Sequence, residues 1–300
     1  MDYELEKQRL EALPYRLPEK LRGLLDGFKW AVHKKNTTGV ILIDGRSGMG
    51  KTTLANQVGL YCDPEYDLRK VHWKPSSFLG GGEGKIGLNE CKKGDFILFD
   101  EAMLISSRAA MSEINKMIVQ AMSMIRSKNI IVGFCVNSIF DLDKNLALSR
   151  ADLLLSVYGD SLTDRGKFMA FFKGSDGVDK LKALYINGKK YYDYSYPKSN
   201  FNSTFPSYFA VDSIEYEKQK QKAVNEFLSG ETKIQTKLNM RRNKAIENFV
   251  MYLRSKNVMI KEIAEISGFA VSTIDYIISK RKAEESLDRV DLSFEQVLTQ

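Results

Sequence analysis

One run of eight residues constrains this chain more than any other: Gly45-Arg46-Ser47-Gly48-Met49-Gly50-Lys51-Thr52 satisfies the pattern G-x-x-x-x-G-K-[ST]. The apolar residues Val40–Ile43 precede it and a helix-forming stretch begins at Lys51, so the run reads as the turn from a buried strand into a helix. The pattern needs that setting. Glycines 45, 48 and 50 let the backbone curl until successive N–H groups and the helix N-terminus face one phosphate chain. Lys51 is then placed to reach the β- and γ-phosphates of a nucleotide, and the Thr52 hydroxyl to ligate Mg²⁺. The expected cofactor-binding set is Gly45, Arg46, Ser47, Gly48, Met49, Gly50, Lys51, Thr52 and Thr53, and its ligand ATP with Mg²⁺.

Beyond the loop, short apolar runs alternate with helical stretches: strands at Val40–Ile43, Arg69–Trp73, Phe96–Phe99, Ile130–Val136 and Leu153–Val157, with helices from Lys51 and over Ser112–Ser127. Continuous apolar strands alternating with helices are what a parallel sheet covered on both faces requires, so the expected class is α/β. The helix over Ser112–Ser127 rests on Ile114, Met117, Ile118, Ala121 and Ile125, which share one face at helical spacing. Residues 1–38 read as a helical flank broken near Pro14 and Pro18, and 39–212 as the core with a β-rich extension. That extension has β-prone runs at Lys167–Phe172, Ala183–Ile186 and Lys190–Tyr194, with Asn187-Gly188 as a hairpin turn and Pro197–Pro206 as loop.

Two further elements fit the glycine-rich loop. Phe96–Phe99 runs into Asp100-Glu101, where Asp100 suits a place in the metal's hydration shell and Glu101 that of the group polarising an attacking water. Standing alone, such a pair could equally be a cap. Ile130–Val136 ends in Asn137, which either senses the γ-phosphate and orients the water or simply forms a turn.

At the other end of the chain, 213–243 reads as a charged helical linker, 244–282 as a compact helical unit and 283–300 as a tail. Within Val258–Ile278, Ala264 is small where two helices cross, Gly268 turns the chain, and Ile274 and Ile277 pack back on Ile260 and Ile263. Ser272 suits the N-cap of the second helix. This is the layout of a small all-α helix-turn-helix domain. Its expected DNA-binding residues are Ser272, Thr273, Asp275, Tyr276 and Ser279 toward the groove and Lys280, Arg281 and Lys282 toward phosphate. Asp275 leaves a protein-binding role open.

A net charge of +7 suits a polyanionic partner such as DNA but does not identify one. Cys62, Cys91 and Cys135 are widely spaced and odd in number, reading as reduced thiols in a cytoplasmic protein. No apolar run reaches about 18 residues, so neither secretion nor a membrane span is expected.

The loop, the Asp100-Glu101 pair and Asn137 together resemble the additional-strand, catalytic-glutamate division of P-loop NTPases, which includes AAA+ proteins, RecA-like motors and viral packaging ATPases. The resemblance covers roughly residues 39–158. It implies Glu101, Lys51 and Asn137 as catalytic residues, and a homo-oligomer in which a neighbour supplies an arginine in trans. Arg150 is the first candidate for that arginine, with Arg126 and Arg108 as competitors; each could equally be a surface ion-pair residue. Arg46 resembles arginines in the P-loops of some viral DNA-packaging motors. More loosely, the run from Asp100 to Arg150 is similar to FtsK/HerA-type and zonular-occludens-toxin-like ATPases of viruses and mobile elements. The function so implied is ATP-driven handling of DNA: packaging, transfer or remodelling. The alternative is a DNA-binding regulator or partitioning factor switched by nucleotide.

Overall fold

The computed structural model describes residues 3–82, 84–100, 125, 128–142, 144–159, 164–228, 237–279 and 281. They belong to two compact units, Met1–Glu231 and Thr232–Gln300. Of the expected helix over Ser112–Ser127, only Ile125 lies among the residues described in secondary structure, and it is helical and buried.

The first unit opens with two helices, α1 (Tyr3–Glu11) and α2 (Glu19–Lys34), separated at Pro14 and Pro18. Pro18 precedes the first turn of α2, where its fixed φ costs nothing and no helical N–H is lost. Leu21, Leu25 and Val32 bury one stripe of α2, each contributing about 1.5–3 kcal/mol of hydrophobic stabilisation. Lys29 on the same stripe pairs with Glu6 of α1 and so clamps the two helices.

The chain then builds β1 (Gly39–Gly45), α3 (Lys51–Cys62), β2 (Val71–His72), α4 (Pro75–Gly80), β3 (Phe96–Asp100), β4 (Ile131–Cys135), α5 (Lys144–Ser149), β5 (Leu153–Tyr158), β6 (Lys167–Phe172), α6 (Lys180–Gly188), β7 (Phe201–Thr204) and α7 (Ser213–Leu228). Among the described residues the strands form one seven-stranded sheet in the order β2-β3-β4-β1-β5-β6-β7. The first five run parallel; β6 and β7 add antiparallel. Alternate side chains serve opposite cores, as strand geometry demands. Ile41 and Ile43 pack on the side of α2 and α3, with Leu98, Leu153 and Leu155. Val40 and Leu42 join Phe78, Phe99, Phe134, Leu181 and Leu184 on the other side. The expected central sheet with helices on both faces is therefore the observed one.

Three expected elements are corrected. Residues 183–194 do not form a hairpin. Leu181, Leu184, Tyr185 and Gly188 recur at helical spacing and bury one face of α6, whose first turn is capped by Asp179 accepting the Lys182 N–H at 2.9 Å. Pro197–Pro206 is not all loop, because Phe201–Thr204 pairs as an edge strand with β6, burying Phe201 against Phe168 and Phe172. The strand expected at Arg69–Trp73 shrinks to Val71–His72, preceded by a 3₁₀ turn in which Asp67 accepts the Arg69 N–H.

In the second unit, α8 (Lys237–Ser255), α9 (Ile260–Ser267) and a helix over residues 271–279, α10, enclose a small core of Val250, Ile263, Ala264, Ile274 and Ile278. Gly268 ends α9 with a φ of 70°, the left-handed conformation that favours glycine at a helix C-terminus. Ile278 joins Ile274 in that core, and Ile277 and Ile260 pack against it partly buried. Ser272 is not the N-cap: the N–H groups of Thr273 and Ile274 bond the Ala270 carbonyl, placing Ser272 inside the first turn.

Candidate nucleotide site

The topology brings the sequence motifs together. Strand β4 lies between β1 and β3, so the glycine-rich loop after β1 and Asp100 at the end of β3 flank the tip of β4 and Asn137 just beyond it. In parallel sheets, such C-terminal strand edges are where ligands bind.

The loop leaves β1 at Gly45, whose φ is 136° and whose absent Cβ would stand 2.1 Å from the Val157 carbonyl oxygen of β5. No side chain fits there. Arg46, Ser47 and Gly48 form an exposed arch, while Met49 turns into the core beneath it and anchors the loop. Gly50, at φ 100°, precedes α3 in the left-handed conformation. Lys51 Nζ donates to the Gly45 carbonyl at 2.6 Å and to Asn137 Oδ1 at 3.3 Å. Thr52 Oγ1 donates to Asp100 Oδ2 at 3.1 Å. Thr53 is half-buried in the same turn of α3. Behind them Asn56 bonds the Thr52 carbonyl at 2.8 Å and is itself held by Tyr66 at 2.8 Å, which fixes the turn carrying Lys51 and Thr52.

Thr52 and Asp100 are hard oxygen donors of the kind Mg²⁺ takes alongside phosphate oxygens and retained waters. Their contact fits a magnesium site of that type. Among the described residues no group of three or more His, Cys, Asp or Glu side chains could hold a metal by protein ligands alone. Glu101 lies outside the described residues, as do Arg108, Arg126, Lys280 and Lys282.

Two side chains at this edge were missed by sequence reasoning. Tyr216, in the helix read as linker, is buried, and its hydroxyl donates to the same Asp100 Oδ2 that accepts Thr52. Burial first, then the Asp100 charge, raises its pKa above 10.0, which keeps the phenol protonated and a donor. The only sequence signal was an aromatic in a charged helix. Asp44, one residue before the loop, is fully buried; its Oδ2 accepts the Ile139 N–H at 2.8 Å and the Tyr194 hydroxyl at 2.5 Å. Burial raises its pKa above 3.8. Tyr194 also meets Ser138 at 2.9 Å and packs on Phe140, so the connection that follows Asn137 is tied to the root of the loop.

Arg150 stands elsewhere. It lines a cleft of about 390 Å³ with Asn36, Thr38 and Asp152, at the start of β5. Strand β5 spans roughly 17 Å at the usual rise and meets Gly45 only at its far end. Arg150 thus lies at the opposite edge of the sheet from its own chain's loop.

In the second unit Ser272, Thr273, Asp275, Tyr276 and Ser279 are exposed on α10. Arg281, expected to touch phosphate, bonds Asn248 at 3.0 Å and approaches Glu247 at 3.9 Å, both on α8.

No family model matches the chain, and no curated protein matches it. Among solved structures it is similar to the VirB11 ATPase from the Brucella suis type IV secretion system in complex with sulphate, with 15% identity over 56% of this chain and 55% of that chain, and a TM-score of 0.28. The chain thus spans about half the length of that protein. A likeness so slight carries no functional argument.

Proposed function

We propose that this chain is a P-loop NTPase that hydrolyses ATP with Mg²⁺ and acts on DNA. The observation that carries the first part is the contact between Thr52 Oγ1 and Asp100 Oδ2, which joins two motifs 48 positions apart at one strand edge beside the glycine arch. The arch supplies N–H donors for phosphates. Lys51 supplies the cation, and Thr52 and Asp100 the oxygens for magnesium, which polarises the phosphoryl oxygens when bound. Asn137, already within reach of Lys51, is placed to orient an attacking water. Glu101, next to Asp100 in sequence, is the candidate base. Arg150 is the candidate trans arginine of a homo-oligomer.

The DNA part is supported by the exposed polar face of α10 and by the positive net charge. The alternative, a nucleotide-switched DNA-binding regulator, separates from a motor by the effect of DNA on turnover.

The test is ATP turnover of the full chain and of Lys51→Ala, with and without duplex DNA. Removing the cation nearest the β- and γ-phosphates should abolish turnover and weaken nucleotide binding. Near-normal turnover in a folded Lys51→Ala protein refutes the site. Turnover that DNA leaves unchanged, with DNA affinity set by nucleotide, favours the regulator.

A further inference from the structure

The segment that follows α6 belongs to no motif of the nucleotide site. Residues 189–198 carry four tyrosines and three lysines against one aspartate. Three of those tyrosines are largely exposed: Tyr191 at 73%, Tyr192 at 54% and Tyr196 at 65%. Among the described residues no other stretch so short exposes three aromatic rings. Lys189, Lys190 and Lys198 are exposed as well, and Lys190 Nζ stands 4.9 Å from the centre of the Tyr191 ring.

The segment is held in shape from beneath. The N–H groups of Tyr191 and Asp193 both bond the Gly188 carbonyl at 3.1 Å, which folds the chain back on the end of α6. Tyr194 is the inward residue, tied to Ser138 and Asp44 at the edge that carries the glycine-rich loop. Tyr192 has a φ of 55°, rare for an aromatic residue; its hydroxyl donates to Asp141 at 2.5 Å and its ring meets Phe140. Asp193 is turned to local use, accepting the Ser195 N–H and hydroxyl, each at 2.8 Å. Tyr191 and Tyr196 are thus displayed on a fixed frame, with Cα atoms no more than about 18 Å apart even were the chain extended.

Exposed aromatic faces with cations among them fit one kind of partner better than the rest. Such rings gain by stacking on flat bases, and the lysines suit the phosphates of the same strand. In a duplex the base faces are already stacked on one another, so an unpaired strand is the form that offers them. A protein partner would favour the tyrosines but not the lysines, which are depleted from protein–protein interfaces.

We propose that residues 189–198 form a contact surface for single-stranded DNA, in which Tyr191 and Tyr196 stack on bases and Lys190 and Lys198 meet the flanking phosphates. These are different residues from those of α10, whose expected target is a duplex groove. The choice of DNA rests on the proposed function above; the preference for an unpaired strand rests on the rings.

The test measures binding of the full chain, by fluorescence anisotropy, to oligothymidylate, to an abasic oligomer of the same length and to duplex DNA. Oligothymidylate should bind more tightly than the abasic strand. Combining Tyr191→Ala with Tyr196→Ala should weaken oligothymidylate binding about ten-fold or more and bring it to the abasic level, leaving duplex affinity and DNA-free ATP turnover unchanged. Tyr191→Phe with Tyr196→Phe keeps the ring faces and should bind as the unmutated chain does. Lys190→Ala with Lys198→Ala should weaken both single strands alike and flatten their salt dependence. In the unmutated chain, oligonucleotides carrying 5-iodouracil should photocross-link to Tyr191 or Tyr196, a readout independent of how any variant folds. If oligothymidylate binds but neither cross-links there nor loses affinity in the alanine pair, the proposal is overturned while the DNA reading stands. It is overturned equally if the abasic strand binds as tightly as oligothymidylate, or if only the duplex binds. If neither oligothymidylate nor duplex binds, the DNA reading falls and this surface with it.

Discussion

Asp44 sits at 0% exposure one residue ahead of the loop, with its Oδ2 held by Tyr194 and the Ile139 N–H. Because burial raises its folded pKa above the ordinary 3.8, its ionisation opposes folding. That burden is absent below the unfolded pKa and grows as pH rises through the window above it. Asp44→Asn keeps an acceptor in place and removes the charge. It should therefore stabilise the protein at pH 7, with the gain shrinking as pH falls toward 3.8. Urea midpoints measured across that range decide it; a loss of stability at pH 7 would show that the charge is compensated, the Lys51 ammonium favouring the ionised form. Glu101 belongs to the same scale. Glu101→Gln keeps the shape and the phosphate contacts but not the base, so ATP should bind while hydrolysis falls roughly a hundred-fold or more. Single-turnover assays at wild-type rate would move the base to another acid.

Helix α6 shows how an element can be misread and then tested. Asn187-Gly188 has the composition of a hairpin turn, and the flanking residues are β-prone, yet Gly188 closes the helix's buried face because a Cβ there would meet the Asp193 carbonyl at 2.2 Å and the Phe140 ring at 2.6 Å. The glycine serves close packing rather than a turn. Asp179 is the sequence signal for the helix, an acceptor before its first turn. Asp179→Ala should cost about 1 kcal/mol, read as a lowered denaturation midpoint with ATP binding unchanged; no loss would mean that packing alone holds α6. The parallel strands were legible because each is a continuous apolar run, as burial on both faces requires. Edge strand β7 was not, since Phe-Asn-Ser-Thr buries one side chain well and leaves polar groups outward. The loop and Asp100 could be read because their chemistry needs fixed residue types at fixed spacing. Tyr216 and Asp44 have no such spacing: one contact closes only when α7 folds back on β3, and the other depends on a tyrosine 150 positions away.

The whole chain divides at residues 231 and 232, with α7 inside the first unit rather than in the linker expected over 213–243. Removing residues 232–300 should leave a folded, ATP-binding protein whose affinity for duplex DNA is reduced, and the intact chain's affinity should fall steeply with salt as counterions are released. Titrations of both forms at two salt concentrations test this; equal affinities would assign DNA contact to the first unit. Among the described residues no helix is long and apolar enough to cross a membrane. All three thiols are buried, with Cys62 and Cys91 pushed up to about 12 by burial, so native protein should resist thiol reagents that label it once unfolded. Strand β1 makes its ladders only with strands far downstream, Ile43 with Cys135 and Gly45 with Val157. During synthesis the apolar run Val40–Ile43 therefore leaves the ribosome well before either neighbour exists, and nascent chains that stall short of residue 153 carry a strand with an open edge. Such chains are the ones a chaperone has to shield, and the ones that clump when translation stops early.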